Sequence, residues 1–176
     1  MNWYKKSQNK KECTGWLAIR LDKKNAKTIQ EWGNKHIPEN SLFKEDGHGR
    51  EKDTHITICY GICTDNLSII KEALGKEKPI KIVLKKIGFF KPDDKYDAVI
   101  IKVESKDLEE LNKKINYILN VETTYSEYKP HCTIAYVKNG EAMKYAGDTY
   151  FNNTEIILNK IVFANNKNEE IEIILK

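Results

Sequence analysis

Two short stretches of this chain repeat one another: Thr54 to Gly61 reads THITICYG, and Pro130 to Val137 reads PHCTIAYV. Each sets a His and a Thr two residues apart within an alternation of polar and apolar side chains. That is the period of a β-strand, so a strand built from either stretch turns His and Thr to one face and the apolar residues to the other. His55 and Thr57 then stand back to back with Ile56 and Ile58, and His131 and Thr133 with Cys132 and Ile134. The same alternation sends Tyr60 and Tyr136 to the apolar faces. One His-x-Thr on a strand is commonplace and ordinarily marks a polar edge. Two in matched frames, well separated along the chain, restrict the fold to one in which two strands from different halves bring their polar faces to a shared cleft.

Two imidazoles and two hydroxyls around one substrate suit the cleavage of a phosphodiester without a metal ion. A neutral His takes the proton of the attacking oxygen, a protonated His returns one to the leaving oxygen, and the hydroxyls hold the phosphoryl oxygens. Histidine serves both duties because its ordinary pKa of about 6.5 keeps both forms accessible near neutrality. The candidate catalytic residues are therefore His55, Thr57, His131 and Thr133. The sequence does not say which His is acid and which is base. No carboxylate cluster accompanies the motifs, so neither a metal nor a cofactor is expected.

Composition narrows the substrate. The 176 residues are of single-domain size, and 40% hydrophobic with 32% charged residues describes a soluble globular chain. A net charge of +4, with Arg20 and Arg50 the only arginines, is too mild for a surface that tracks long nucleic acid and fits a small anion better. Cys13, Cys59, Cys63 and Cys132 lack zinc-ligand spacing and follow no secretory leader, so reduced thiols in a cytosol are expected. Cys132 falls on the apolar face and reads as packing. Residues 1–14 read as a flexible polar segment, and no run of about 18 apolar residues suggests a membrane span.

The chain reads as strand, helix, strand, helix, hairpin, helix, strand, hairpin, which predicts an α+β fold with mostly antiparallel sheets and helices outside. A strand at Gly15 to Leu21 leads to a helix capped by Asp22 and stopped before Pro38. Pro38 to Asp53 reads as a long mobile loop, a candidate lid from which His48 and Arg50 could reach a phosphate. A short helix near Asn66 to Leu74, strands at Ile80 to Phe90 and Tyr96 to Glu104, and a helix capped by Ser105 follow. That helix buries a stripe of Leu108, Leu111, Ile115 and Ile118. Glu155 to Ala164 and Glu169 to Leu175 read as a terminal hairpin.

The paired motifs, their spacing and their strand contexts resemble the 2H phosphoesterase superfamily, which includes 2′-5′ RNA ligase-like proteins and RNA cyclic phosphodiesterases. The stretches His55 to Gly61, Ile87 to Glu104 and Tyr128 to Val137 look most like the phage anti-CBASS nucleases, which degrade cyclic nucleotide alarm signals. The resemblance implies two pseudo-symmetric lobes around a central cleft within one domain, and metal-independent cleavage of 3′-5′ bonds in cyclic di- or trinucleotides. It also implies action in the cytoplasm of a host cell. An enzyme acting on RNA ends, by 2′,3′-cyclic phosphodiesterase or 2′-5′ ligase-like chemistry, would use the same four residues, and a non-catalytic protein could merely sequester a nucleotide. For a cyclic nucleotide, aromatic side chains should stack on the bases. Trp16 is the first candidate, with Arg20 on the same strand face as the second substrate-binding residue.

Overall fold

A computed structural model describes residues 13–75, 77–119, 121–122 and 127–176. Most of the segment expected to be a flexible N-terminus therefore lies outside the described residues. Among these residues, eight strands form two four-stranded sheets, all pairs antiparallel. One sheet has the order β2-β1-β7-β8 and the other β5-β4-β3-β6. The strands are β1 (Gly15–Arg20), β2 (His55–Ile62), β3 (Ile80–Phe90), β4 (Tyr96–Glu104), β5 (His131–Lys138), β6 (Thr154–Leu158), β7 (Lys160–Ala164) and β8 (Glu170–Ile174). The helices are α1 (Lys23–His36), α2 (Leu67–Leu74) and α3 (Lys106–Leu119). Each sheet thus ends in one of the two motif strands, which is the two-lobed α+β arrangement expected, and β2 and β5 approach one another.

Local chemistry starts the helices where the sequence places them. The Asp22 carboxylate accepts from the backbone N–H groups of Lys24 and Asn25, and Asn66 caps α2 by accepting from Ser68. Ser105 Oγ accepts from the N–H of Leu108. The stripe of α3 is buried at Leu108, Leu111, Ile115 and Leu119, whereas Ile118 turns out to solvent at 46% exposure. Leu119 takes the inward position because four residues carry the helix only slightly past a full turn from Ile115.

Four further expectations are corrected. Glu155 to Ala164 is not one strand: the chain breaks at Asn159, so β6 extends the second sheet while β7 and β8 cross over to complete the first. Residues 38–53 are not a free lid. Phe43 and Glu51 donate backbone hydrogen bonds to Tyr136 and Ile134, and Tyr136 donates to Gly49, so the segment is stitched along the outer edge of β5. Cys13 and Cys63 form a disulfide, so two of the four thiols expected to be reduced are bonded across the lead-in to β1 and the end of β2. Tyr60 and Tyr136 leave the apolar faces, because β2 and β5 each carry a bulge between the Thr and the Tyr. Cys59 and Cys132 are buried as packing residues. Burial pushes the Cys59 thiol up to about 12 and raises that of Cys132 as well, which removes either as a nucleophile. No helix among the described residues is long and apolar enough to cross a membrane.

Candidate active site

The two motif strands are built alike. In each, the first apolar positions pack into the core, with Ile56, Ile58, Cys132 and Ile134 all almost fully buried, and His and Thr are half-buried on the opposite face. Each strand then carries a β-bulge. Thr57 pairs with Ala18 and Cys59 with Leu17, leaving Ile58 as the extra residue; Thr133 pairs with Ile100 and Ala135 with Val99, leaving Ile134 as the extra one. One unpaired residue reverses the facing of everything after it. Tyr60, 51% exposed and opposite Trp16, and Tyr136, opposite Ala98, therefore return to the faces of the histidines. The full repeat is His-x-Thr-Ile-x-Tyr. The identical spacing of the two tyrosines was the available sign of a shared distortion.

Both imidazoles are held in one way. His55 Nδ1 lies 2.6 Å from the carbonyl oxygen of Asp53, and His131 Nδ1 lies 2.7 Å from that of Lys129, in each case two residues upstream. A carbonyl can only accept, so Nδ1 carries the proton and Nε2 is the nitrogen left for a substrate. Neither Thr57 nor Thr133 bonds its hydroxyl to another described residue, which leaves both free to donate.

The surroundings of the two rings differ. Burial lowers the pKa of His131, the carbonyl of Lys129 partly opposes this, and the charge of His55 lowers it further. His55 has a carboxylate oxygen of Asp53 3.8 Å from Nδ1. Arg20 fixes that carboxylate at 2.8 Å and is itself bound by Glu170 at 2.8 Å. Arg20 thus shares the face of His55 as expected, but its guanidinium is occupied by two carboxylates and reaches across β7 to do so. It positions Asp53 beside the ring instead of offering an open cation.

Aromatic rings flank both imidazoles. Trp16 stacks near His55, centroids 6.0 Å apart and planes 22° apart, where it was expected. Phe90 meets His131 edge-on at 4.8 Å. Phe90 was not singled out in the sequence, because its placement depends on the pairing of β3 with β4. Arg50 is turned to the end of α1, whereas His48 packs on the sheet face that carries His131. Arg50 donates to the carbonyls of Gly33 and Ile37 at the end of α1 and to Glu39, and His48 packs among Phe43, Tyr96 and Tyr136. Among the described residues, the one group of donors spaced to hold a metal is Cys13, Cys63 and Glu122, whose two sulfurs are joined to each other.

The model of the family described as anti-CBASS protein Acb1 matches residues 14–172. The fold is shared with TT0787 of Thermus thermophilus at 15% identity and a TM-score of 0.58, covering 93% of this chain and 95% of that one. It is shared with Escherichia coli LigT complexed with phosphate at 13% identity and a TM-score of 0.58, covering 94% and 96%. Kluyveromyces marxianus Usb1 with uridine monophosphate matches at 12% identity and a TM-score of 0.57, covering 94% and 99%. Comparison with the curated proteins finds no match.

Proposed function

Because this chain belongs to the Acb1 family of anti-CBASS proteins, we propose that its paired motifs cleave 3′-5′ phosphodiester bonds of cyclic di- or trinucleotide immune signals, without a metal ion. One observation carries the reading: two imidazoles on the neighbouring strands β2 and β5 are each anchored through Nδ1 to a carbonyl two residues upstream, which leaves both Nε2 atoms for a substrate. A protein that only sequestered a nucleotide would need neither the matched tautomers nor the pair. The same fold binds phosphate in LigT and uridine monophosphate in Usb1, which fits a phosphate between the motifs here.

The asymmetry of the rings assigns their duties within this reading. His131, held neutral by burial, takes the proton of the attacking oxygen, either a ribose 2′-hydroxyl or water. The new P–O bond forms as the bond to the leaving oxygen breaks. His55, with the Asp53 carboxylate 3.8 Å from its Nδ1, gives that oxygen its proton. Thr57 and Thr133 hold the non-bridging oxygens, and Trp16 and Phe90 offer surfaces for bases.

The test is turnover of cyclic dinucleotides, cyclic trinucleotides and RNA ending in a 2′,3′-cyclic phosphate, with EDTA present. Cyclic substrates should be cleaved, and His55→Ala or His131→Ala should each lower the rate by about 10² to 10⁴ without moving Tm. Activity that vanishes in chelator and returns with a divalent ion would discard the two-histidine mechanism. Cleavage confined to RNA ends would move the protein to the alternative substrate class.

A further inference from the structure

Beside His131, and resting on the function just proposed, lies a cationic cavity that the cleavage step does not use. Strand β4 places Lys102 directly across the ladder from His131. The Lys102 stem runs over Gly88 of β3, where a side-chain carbon would come within 2.8 Å of Lys102 Cε. Glycine at that position lets the lysine lie along the sheet and carry its ammonium toward β3. Opposite the ladder position of Lys102 itself, β3 bulges between Leu84 and Ile87, and the residues of the bulge are Lys85 and Lys86. The three lysines line a cavity of 540 Å³ together with Glu104, Thr149 and Asn152.

Charge within the cavity is uneven. Lys85 Nζ is paired with Glu104 at 3.0 Å and also reaches Asn153. Lys86 and Lys102 have no carboxylate partner among the described residues. Two uncompensated ammonium groups beside polar side chains suit an anion. One to two strand spacings, about 5 to 10 Å, separate them from the row of His131.

We propose that this cavity binds the second phosphate of the substrate, the one not being cleaved, with Lys102 as its principal contact. A cyclic dinucleotide closes its ring through two phosphodiesters. When one lies between the imidazoles, the ring carries the other one nucleotide away, and it needs a cation there more than a base surface. The site would then select by the number of phosphates held in a small ring, as well as by the bases.

Binding of two probes to the doubly silenced His55→Ala/His131→Ala protein separates this claim from the catalytic one, because no turnover is needed. The probes are 3′,5′-cyclic di-adenosine monophosphate, with two phosphates, and adenylyl-(3′→5′)-adenosine, with one. Adding Lys102→Gln should weaken the cyclic probe about tenfold, the loss of one charge-assisted contact, and shift the linear probe by less than about twofold. Lys102→Arg should keep most of the affinity, and thermal melting checks that each variant is folded. Equal weakening of both probes, no weakening of the cyclic probe, or no binding of it before Lys102 is changed would each overturn the proposal. Failure of the unaltered protein to cleave any phosphodiester would instead count against the proposed reaction alone.

Discussion

His55 and His131 occupy equivalent places in two similar strands, yet a single backbone repeat does not make them equivalent acids. Burial and the neighbouring charge of His55 lower the His131 pKa, whereas a carboxylate lies by His55. His131 should therefore titrate below 6.5 by NMR, and the acidic limb of kcat/KM should lie below that value, since it reports protonation of the base. Stability follows with a definite sign. As pH falls from 6.5 through the folded value, the unfolded chain gains a proton at residue 131 that the folded chain resists, so stability drops across that window. His131→Asn should flatten this part of the melting profile; a His131 resonance titrating above 6.5 would reverse the assignment of base. The four motif residues were legible because alternation is a strong local rule. Tyr60 and Tyr136 were misplaced because a bulge is written in pairing, which no six-residue window contains.

Among the elements, the β3–β4 hairpin and α1 begin and end where turn and cap chemistry put them, Asp22 and Pro38 included. The break at Asn159 was invisible because ten residues of strand-forming sequence serve two sheets, and only the partners distinguish β6 from β7. Gly61 illustrates how an element end can fix a site. It holds φ at +94°, a side-chain carbon there would stand 2.0 Å from the carbonyl oxygen of Glu122, and its own carbonyl accepts from the Glu122 N–H. Gly61→Ala should cost about 2 kcal/mol or more, from backbone strain and the displaced neighbour together. Chemical denaturation measures it; a loss under about 0.5 kcal/mol would mean that β2 is not held at this point.

Over the whole molecule, each motif strand is supported by chain that leads to the other. Segment 42–51, which precedes β2, is stitched to β5, and Gly33 of α1 comes within 2.8 Å of Ile134 as measured from its missing side-chain carbon. In return Asn112 of α3 donates to the carbonyl of Ile58, Tyr128 donates to that of Thr57, and Glu122 donates to that of Gly61, all on β2. The disulfide Cys13–Cys63 adds a covalent tie across a separation of 50 residues. Its reduction should lower stability by up to about 4 kcal/mol, or roughly 10 °C in Tm, while leaving the motif residues in place. A Tm indifferent to dithiothreitol and to Cys63→Ser would show that the pair contributes nothing to the fold. Sequence could not reveal this exchange of supports, since segment 38–53 looks loose when only its own composition is read.

The crossing of supports governs how damage would be felt. A lesion in either lead-in loosens the histidine that lies farther along the chain and the one on the opposite strand together, so there is no form of the protein with one motif assembled and the other adrift. Across a collection of weakened variants, the number of working molecules should fall while each surviving molecule keeps its full rate. Tolerance to substitution would then be set by how much of the population is folded, with little gradation in the quality of the enzyme itself.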